Sequence, residues 1–166
     1  MKKNLIFIGM PAVGKSTVGV VTAKRLGYQF IDTDLLIQET EGKLLKEIIE
    51  ERGPDGFLEV EERVNLSVNP QKAVIAPGGS VVYCEKAREH FRKIGTVIYL
   101  HVSYTEIEQR IQNARNRGVV LRDGQTLRDL YNERTQQFEK YADIRISEDG
   151  LTMDETVQKV LDIIGN

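Results

Sequence analysis

The sequence predicts a three-layer α/β domain built around a central sheet of five parallel strands. Short, continuously apolar runs, which are typical of strands buried on both faces, alternate with longer segments of helical periodicity. A phosphate-binding motif also lies between the first apolar run and the first helical segment. Because 166 residues are enough for one domain with a real core, we interpret residues 1–166 as a single unit.

The five predicted strands are the short segments "NLIFI", "YQFID", "AVIA", "GTVIYLHV" and "IRI". The first helix is predicted from about Gly14 to Leu26, with Gly27 as the terminating glycine. Residues 35–69 follow a helical pattern that is interrupted at "RGPDG", and residues 126–141 predict an amphipathic helix. The capping boxes "SYTE" and "TMDE" predict two more helix starts, at Ser103 and Thr152.

The segment "GMPAVGKST", residues 9–17, fits the phosphate-loop pattern G-x-x-x-x-G-K-[ST] between a strand and a helix. Glycines allow backbone N–H groups to surround phosphate oxygens, and the following helix N-terminus favours an anion. Lys15 is in position to reach the β- and γ-phosphates, Ser16 to ligate Mg²⁺, and Thr17 to contact an inner phosphate or to pack. The predicted nucleotide-binding residues of the loop are Gly9, Ala12, Val13, Gly14, Lys15, Ser16 and Thr17.

Two aspartates, Asp32 and Asp34, end the second predicted strand in the sequence "DTD". Residues two apart in an extended run project the same way, and ligands of α/β sheets bind beyond the strand ends. One carboxylate then holds the water shell of a metal, and the other orients or deprotonates an attacking hydroxyl group. The alternative is a polar loop with a helix cap before "LLIQE".

Two charged residues fall on apolar helical stripes. Arg134 lies four residues before Phe138 on the face of the 126–141 helix that also carries Leu127 and Leu130. Glu61 falls in the same way among Phe57, Val60, Val64 and Val68. Since a buried unpaired charge is costly, these residues form an internal ion pair or line a polar pocket. Both interpretations stay open from the pattern alone.

The segment from 110 to 125 is rich in arginine, namely Arg110, Arg115, Arg117 and Arg122. Phosphoryl transfer requires cations on the developing charge and exclusion of water, and a lid over residues 112–125 would supply both. The alternative is a solvated basic face.

These motifs together resemble the shikimate kinases, a family with the P-loop, nucleoside-monophosphate-kinase-like fold, over nearly the whole chain. The resemblance assigns Asp32 to the metal's waters, Asp34 to the substrate hydroxyl, and Glu61 in "FLEVEE" to the substrate helices, residues 35–69. It aligns "APGGS" with a glycine turn near the substrate, which carries over Gly78, Gly79 and Ser80. It also makes Arg117 the lid arginine, Arg110 the adenine-side arginine and Arg134 the carboxylate-binding arginine.

The acceptor half departs from the family pattern at several points. Leu58 stands where the family has an arginine that binds the substrate carboxylate together with the residue matching Arg134, and Ser80 replaces the third glycine. The lid sequence is "RGVV", and "RTQQF" lacks the family proline and tyrosine. Losing one charged hydrogen bond, worth about 1.5–3 kcal/mol, weakens an acceptor roughly ten- to a hundredfold. Arg52 and Arg63 are candidate replacements for the missing cation.

The resemblance implies a kinase that uses ATP and Mg²⁺ to phosphorylate a hydroxyl of shikimate or a related small hydroxy acid, with Lys15, Asp34 and Arg117 as catalytic residues. The alternatives are a kinase for another polyol acid such as gluconate, or a non-catalytic sensor of nucleotide or metabolite. A net charge of −2 disfavours nucleic acid as partner. The absence of a long apolar run disfavours a membrane. The single cysteine, Cys84, fits a reducing compartment, and we expect a cytoplasmic monomer.

Overall fold

The computed structural model of the protein describes residues 4–113 and 123–165. Five strands form one parallel sheet in the order β2-β3-β1-β4-β5, which confirms the predicted number and direction of the strands. Their bounds are β1 Asn4–Ile8, β2 Gln29–Asp32, β3 Ala73–Ala76, β4 Gly95–His101 and β5 Ile144–Ser147. Every residue of β1 is buried although successive side chains point to opposite faces. Both faces of the sheet centre are therefore covered, as a three-layer fold requires.

Seven helices and one short 3₁₀ helix accompany the sheet in the part of the chain that the structure describes. The helices are α1 Lys15–Leu26, α2 Thr33–Glu41, α3 Leu45–Ser67, α4 Glu85–Ile94, α5 Tyr104–Asn113, α6 Leu127–Tyr141 and α7 Met153–Ile164, and the 3₁₀ helix is Gly79–Tyr83. Helix α1 packs against α7 and β3, whereas α4 and α6 pack against β4. Because the strands are parallel, their carboxyl ends lie at the same edge of the sheet. The residues of the predicted site follow these strand ends.

The predicted helical segment 35–69 is two helices. The chain leaves the helix after Glu41 and resumes it at Leu45, a break that the periodicity did not predict. The predicted interruption at "RGPDG" is confirmed as a kink inside α3, where Gly53 has φ 69° before Pro54. These two helices share a small apolar core of their own, formed by Ile37, Ile48, Phe57, Val60 and Val64. That core holds α2 and α3 together as one unit beside the sheet.

Helix α4 was missing from the sequence prediction, and its buried face contributes Ala87 and Phe91 to the main core. The predicted capping box at Thr152 is confirmed, and Thr126 forms a further one with Asp129. At the predicted Ser103 box, the Ser103 N–H donates to Asp149, whereas the Glu106 carboxylate accepts from Arg110. Within residues 4–113 and 123–165, no helix combines the length and the apolar character that a bilayer crossing needs.

Candidate active site

The phosphate loop connects β1 to α1 and has the backbone of an anion-binding nest. Gly14 precedes α1 with φ 85°, and Ala12 adopts φ 65°, which costs a non-glycine residue roughly 1–2 kcal/mol. At Gly9 a Cβ would lie 2.7 Å from the Leu100 carbonyl, so the loop passes too close to β4 for a side chain. This loop leads directly into the N-terminus of α1, and a helix N-terminus after such a loop favours the binding of anions.

Lys15 and Ser16, at the start of α1, have fixed positions beside this loop. The Lys15 ammonium group donates to the carbonyls of Gly9 at 2.9 Å and Met10 at 2.8 Å. The Ser16 hydroxyl donates to Asp32 Oδ2 at 2.6 Å, which links α1 to the end of β2. A hydroxyl and a carboxylate in contact are hard oxygen donors of the kind that Mg²⁺ takes in addition to phosphates and water. No group of three or more His, Cys, Asp or Glu within residues 4–113 and 123–165 is arranged to hold a metal.

Asp32 and Asp34 do not lie on one strand, contrary to the expectation. Strand β2 ends at Asp32 and α2 begins at Thr33, so Asp34 lies in the first turn of a helix. Asp32 Oδ1 accepts from the Asp34 and Leu35 N–H groups as the N-cap of α2. Asp32 therefore contacts Ser16 through Oδ2 and caps helix α2 through Oδ1. The predicted metal-side role and the alternative role as a helix cap are compatible in this residue.

The predicted glycine turn brings the acceptor-side groups together. A Cβ on Gly78 would lie 2.8 Å from Glu61 Oε2 and 3.0 Å from Asp34 Oδ1. A Cβ on Gly79 would lie 2.9 Å from Arg134 Nη1 and 3.2 Å from the Gly9 carbonyl oxygen of the phosphate loop. The two glycines that follow β3 are thus a meeting point of four parts of the chain, namely the β2–α2 junction, α3, α6 and the phosphate loop.

Glu61 is only 1% exposed and bonds to the Ser80 hydroxyl, which lies 2.7 Å from Oε1 and 2.8 Å from Oε2. Burial raises the pKa of Glu61 to about 7, the nearby Asp34 raises it further, and the Ser80 hydrogen bond, Arg134 and Lys15 oppose the rise. The carboxyl group therefore changes its protonation state near neutral pH.

Arg134 is 2% exposed, yet no carboxylate oxygen of the described residues lies within 4.0 Å of its guanidinium group. Its Nε donates to the Tyr83 hydroxyl at 3.4 Å, and its charge lies 5.3 Å from the centre of the Tyr83 ring. Burial of an arginine without a contacting anion is costly. Of the two explanations for an arginine on the apolar face of α6, the structure therefore favours a polar pocket over an internal ion pair. Tyr83 was not predicted, because an aromatic residue beside buried valines is typical of any core.

The remaining predicted residues divide into those near the loop and those elsewhere. Arg110 donates to the Ala12 carbonyl at 3.3 Å and to Glu106 at 3.0 Å, so it lies beside the phosphate loop. Arg52 and Arg63 both pair with Glu41 at the end of α2, and about half of each side chain is exposed. Arg115, Arg117, Arg122 and most of the predicted lid, 112–125, lie outside the described residues.

Comparison with known proteins places this geometry in one family. The family model described as shikimate kinase matches residues 11–165. The shikimate kinase of Haemophilus influenzae is 34% identical over 170 residues, covering 99% of this chain and 94% of that protein. The shikimate kinase of Thermodesulfovibrio yellowstonii is 32% identical, covering 96% and 93%. A solved structure, shikimate kinase from Acinetobacter baumannii in complex with shikimate, superimposes with a TM-score of 0.86 at 29% identity and covers 98% and 92% of the two chains.

Proposed function

This chain belongs to the shikimate kinase family, and we propose that it transfers the γ-phosphoryl group of ATP to a hydroxyl group of shikimate. Membership makes it a phosphotransferase that acts on a hydroxyl group. The observation that carries the proposal is the position of Gly78 and Gly79. The acceptor-side carboxylates and arginine meet there, against the carbonyl of Gly9 in the phosphate loop. Donor and acceptor sites are therefore adjacent, as in-line transfer requires.

On the nucleotide side, the loop amides and Lys15 hold the β- and γ-phosphates. Ser16 would hold Mg²⁺ directly and Asp32 would hold it through water, which fits the hydroxyl–carboxylate contact of 2.6 Å between the two side chains. A metal ion held there would neutralise charge on the phosphate oxygens. Arg110 flanks the nucleotide beside Ala12. Arg117, outside the described residues, is proposed to close over the transferring phosphoryl group.

On the acceptor side, Asp34 orients the attacking hydroxyl group and takes up its proton. Its Oδ1 lies near Gly78, together with Glu61 Oε2, so a hydroxyl bound over the turn meets the Asp34 carboxylate. Arg134 binds the acceptor's carboxylate, which supplies the anion that this buried guanidinium group lacks within the described residues. Asp34 accepts a proton from one end of the acceptor and Arg134 pairs with the charge at its other end. Together they fix the orientation of a small hydroxy acid.

A second candidate acceptor, another polyol acid such as gluconate, is favoured by Leu58. This residue stands in the place of the second carboxylate-binding arginine and is half-buried on α3. Arg52 and Arg63 are both engaged by Glu41, so a substrate would have to compete with that carboxylate for either cation. A Leu58→Arg variant tests this point. If shikimate is the acceptor, its KM falls about tenfold in L58R, while the matched variant Leu66→Arg on the exposed side of α3 leaves it unchanged.

The function is tested by ADP release with Mg²⁺-ATP and with shikimate, gluconate or quinate at equal concentrations. We expect shikimate to give the highest kcat/KM. Asp34→Asn should lower kcat at least a hundredfold, and Lys15→Ala should weaken ATP binding and turnover. Asp55→Asn and Lys24→Ala, at exposed positions of α3 and α1, are matched controls and should match the parent. If gluconate gives the highest kcat/KM, gluconate replaces shikimate as the proposed acceptor. If ATP and shikimate bind tightly without turnover, the result favours a sensor.

The proposal includes a monomer located in the cytoplasm that binds neither nucleic acid nor membrane, in line with the net charge of −2. Sedimentation of the purified chain at micromolar concentration tests the monomeric state.

A further inference from the structure

A cavity of about 210 Å³ adjoins the phosphate loop. Val13 and Val18 of the loop and α1 line one part, and Leu151 and Met153 before and at the start of α7 line another. The lining also includes two charged residues, Arg110 and Glu148, and two hydroxyl residues, Thr17 and Thr156. A cavity that combines apolar walls with a few placed polar groups is typical of a site for a small organic ligand. Because the cavity shares its wall with the loop that holds the phosphates, it lies where the base of a bound nucleotide would extend.

Arg110 has a fixed orientation in this cavity. Its Nε donates to Glu106 at 3.0 Å and its Nη1 donates to the Ala12 carbonyl at 3.3 Å, so both ends of the guanidinium group are engaged. A planar guanidinium group held in this way stacks on an aromatic ring.

Glu148 is the unexplained polar group of the cavity. It follows β5 directly and its backbone is fixed, because its N–H donates to the His101 carbonyl and its own carbonyl accepts from Leu151, both at 2.9 Å. The residue is 6% exposed, and Oε2 is buried without a hydrogen-bond partner in the described part of the chain. The nearby Thr156 hydroxyl donates to the Thr152 carbonyl at 3.2 Å. A buried acceptor without a donor costs about 1–3 kcal/mol and requires an explanation.

The groups around Glu148 partly offset its burial. Burial raises the pKa of Glu148 to about 7, and the attraction of Arg110 and Lys15 together with the neighbouring Thr156 hydroxyl opposes the rise. The carboxyl group is therefore held in a position where a single additional donor would stabilise its ionised form.

We infer that Glu148 determines the base specificity of the kinase by accepting a hydrogen bond from the 6-amino group of adenine. This inference rests on the proposed use of ATP. Stacking on Arg110 and contact with Val13, Leu151 and Met153 bind any purine, whereas only a base with an amino group near Oε2 provides the missing donor. Glu148 is thus a specificity residue, and it takes no part in the transfer of the phosphoryl group.

The test compares ADP with the 5′-diphosphate of purine riboside, which lacks the 6-amino group and is otherwise the same molecule. Titration calorimetry with Mg²⁺ should show the parent protein binding ADP about 10- to 100-fold more tightly than the purine analogue, the range of one charged hydrogen bond. In Glu148→Met, which keeps the side-chain length without an acceptor, the two nucleotides should bind equally within about twofold. Glu148→Gln, which retains a carbonyl oxygen, should restore part of the preference.

The control is Asp154→Asn, which removes a negative charge at an exposed position of α7 and should leave the preference unchanged. A purely structural role of Glu148 would change the affinity of both nucleotides by the same factor, so an unchanged ratio in E148M overturns the inference. Equal binding of the two nucleotides by the parent also overturns it. If neither nucleotide binds the parent, the proposed use of ATP fails, and the inference fails with it.

Discussion

Ser80 donates its hydroxyl hydrogen to the carboxylate of Glu61, with Oγ 2.7 Å from Oε1 and 2.8 Å from Oε2. Both residues are buried, at 5% and 1% exposure, so water does not replace this contact. Ser80 stands where the family has a third glycine, and the serine therefore adds a polar group that the glycine turn would not have. The substitution stabilises the charge of Glu61 beside the acceptor position.

Removal of the Ser80 hydroxyl should destabilise the protein. Ser80→Ala leaves a buried carboxylate without its donor, and we expect the free energy of unfolding at pH 8 to fall by about 1–3 kcal/mol in urea titrations. The loss should be smaller in a Glu61→Gln background, because a neutral amide depends less on the bond. Equal losses in the two backgrounds would show that the hydroxyl acts on another group.

Glu61 should make the protein less stable as the pH rises. Its pKa is about 7 in the native state against 4.5 as the ordinary value, so between these values the native state binds more protons than the unfolded state. Stability contributed by the neutral carboxyl group is then lost as pH rises through this window. Glu148 has a similarly raised pKa, so a single variant is needed to isolate Glu61.

The advantage of Glu61→Gln over the parent in the free energy of unfolding should grow by about 2–3 kcal/mol between pH 5 and pH 8. Urea titrations of both proteins across that range measure it. Two stability profiles that stay parallel would mean that Glu61 titrates near its ordinary pKa.

The two turn glycines should have separable effects on catalysis. An added Cβ at Gly78 approaches Asp34 Oδ1 and Glu61 Oε2, so Gly78→Ala should lower kcat, because the base is displaced. At Gly79 it approaches Arg134 Nη1, so Gly79→Ala should raise the KM for the acceptor about tenfold or more, because one charged hydrogen bond is worth that factor. Steady-state kinetics with varied acceptor and varied ATP separate the two effects. A matching rise in the KM for ATP in both variants would indicate a general distortion of the loop.

Arg134→Met should bind the acceptor poorly while remaining folded. The KM for the hydroxy acid should rise about 10- to 100-fold, as expected when a buried charged hydrogen bond is lost. The melting temperature should stay the same or rise, because the variant buries an apolar side chain in place of a cation without a contacting anion in the described residues. A variant that is destabilised and retains its acceptor KM would show that Arg134 is a structural residue.

The sequence by itself determined the strands, the phosphate loop and the residues that carry the chemistry. Short segments with apolar residues identified all five strands, and the spacing of Gly9, Gly14 and Lys15 identified the loop, because both are local patterns. The stripe positions of Glu61 and Arg134 already showed two charges facing inward, and the structure places both beside the same glycine turn.

Only the tertiary structure decided how those residues meet. The start of α2 at Thr33 separates Asp32 from Asp34, and the pairing of Arg52 and Arg63 with Glu41 depends on how α2 packs on α3. The unpaired oxygen of Glu148 was invisible to sequence reasoning for the same reason. In the sequence this glutamate is one acidic residue before a helix, and its surroundings include α5 and the phosphate loop, which are distant in the chain. Long-range packing sets the distances between charged groups, and those distances decide which charges are paired and which remain available to a substrate.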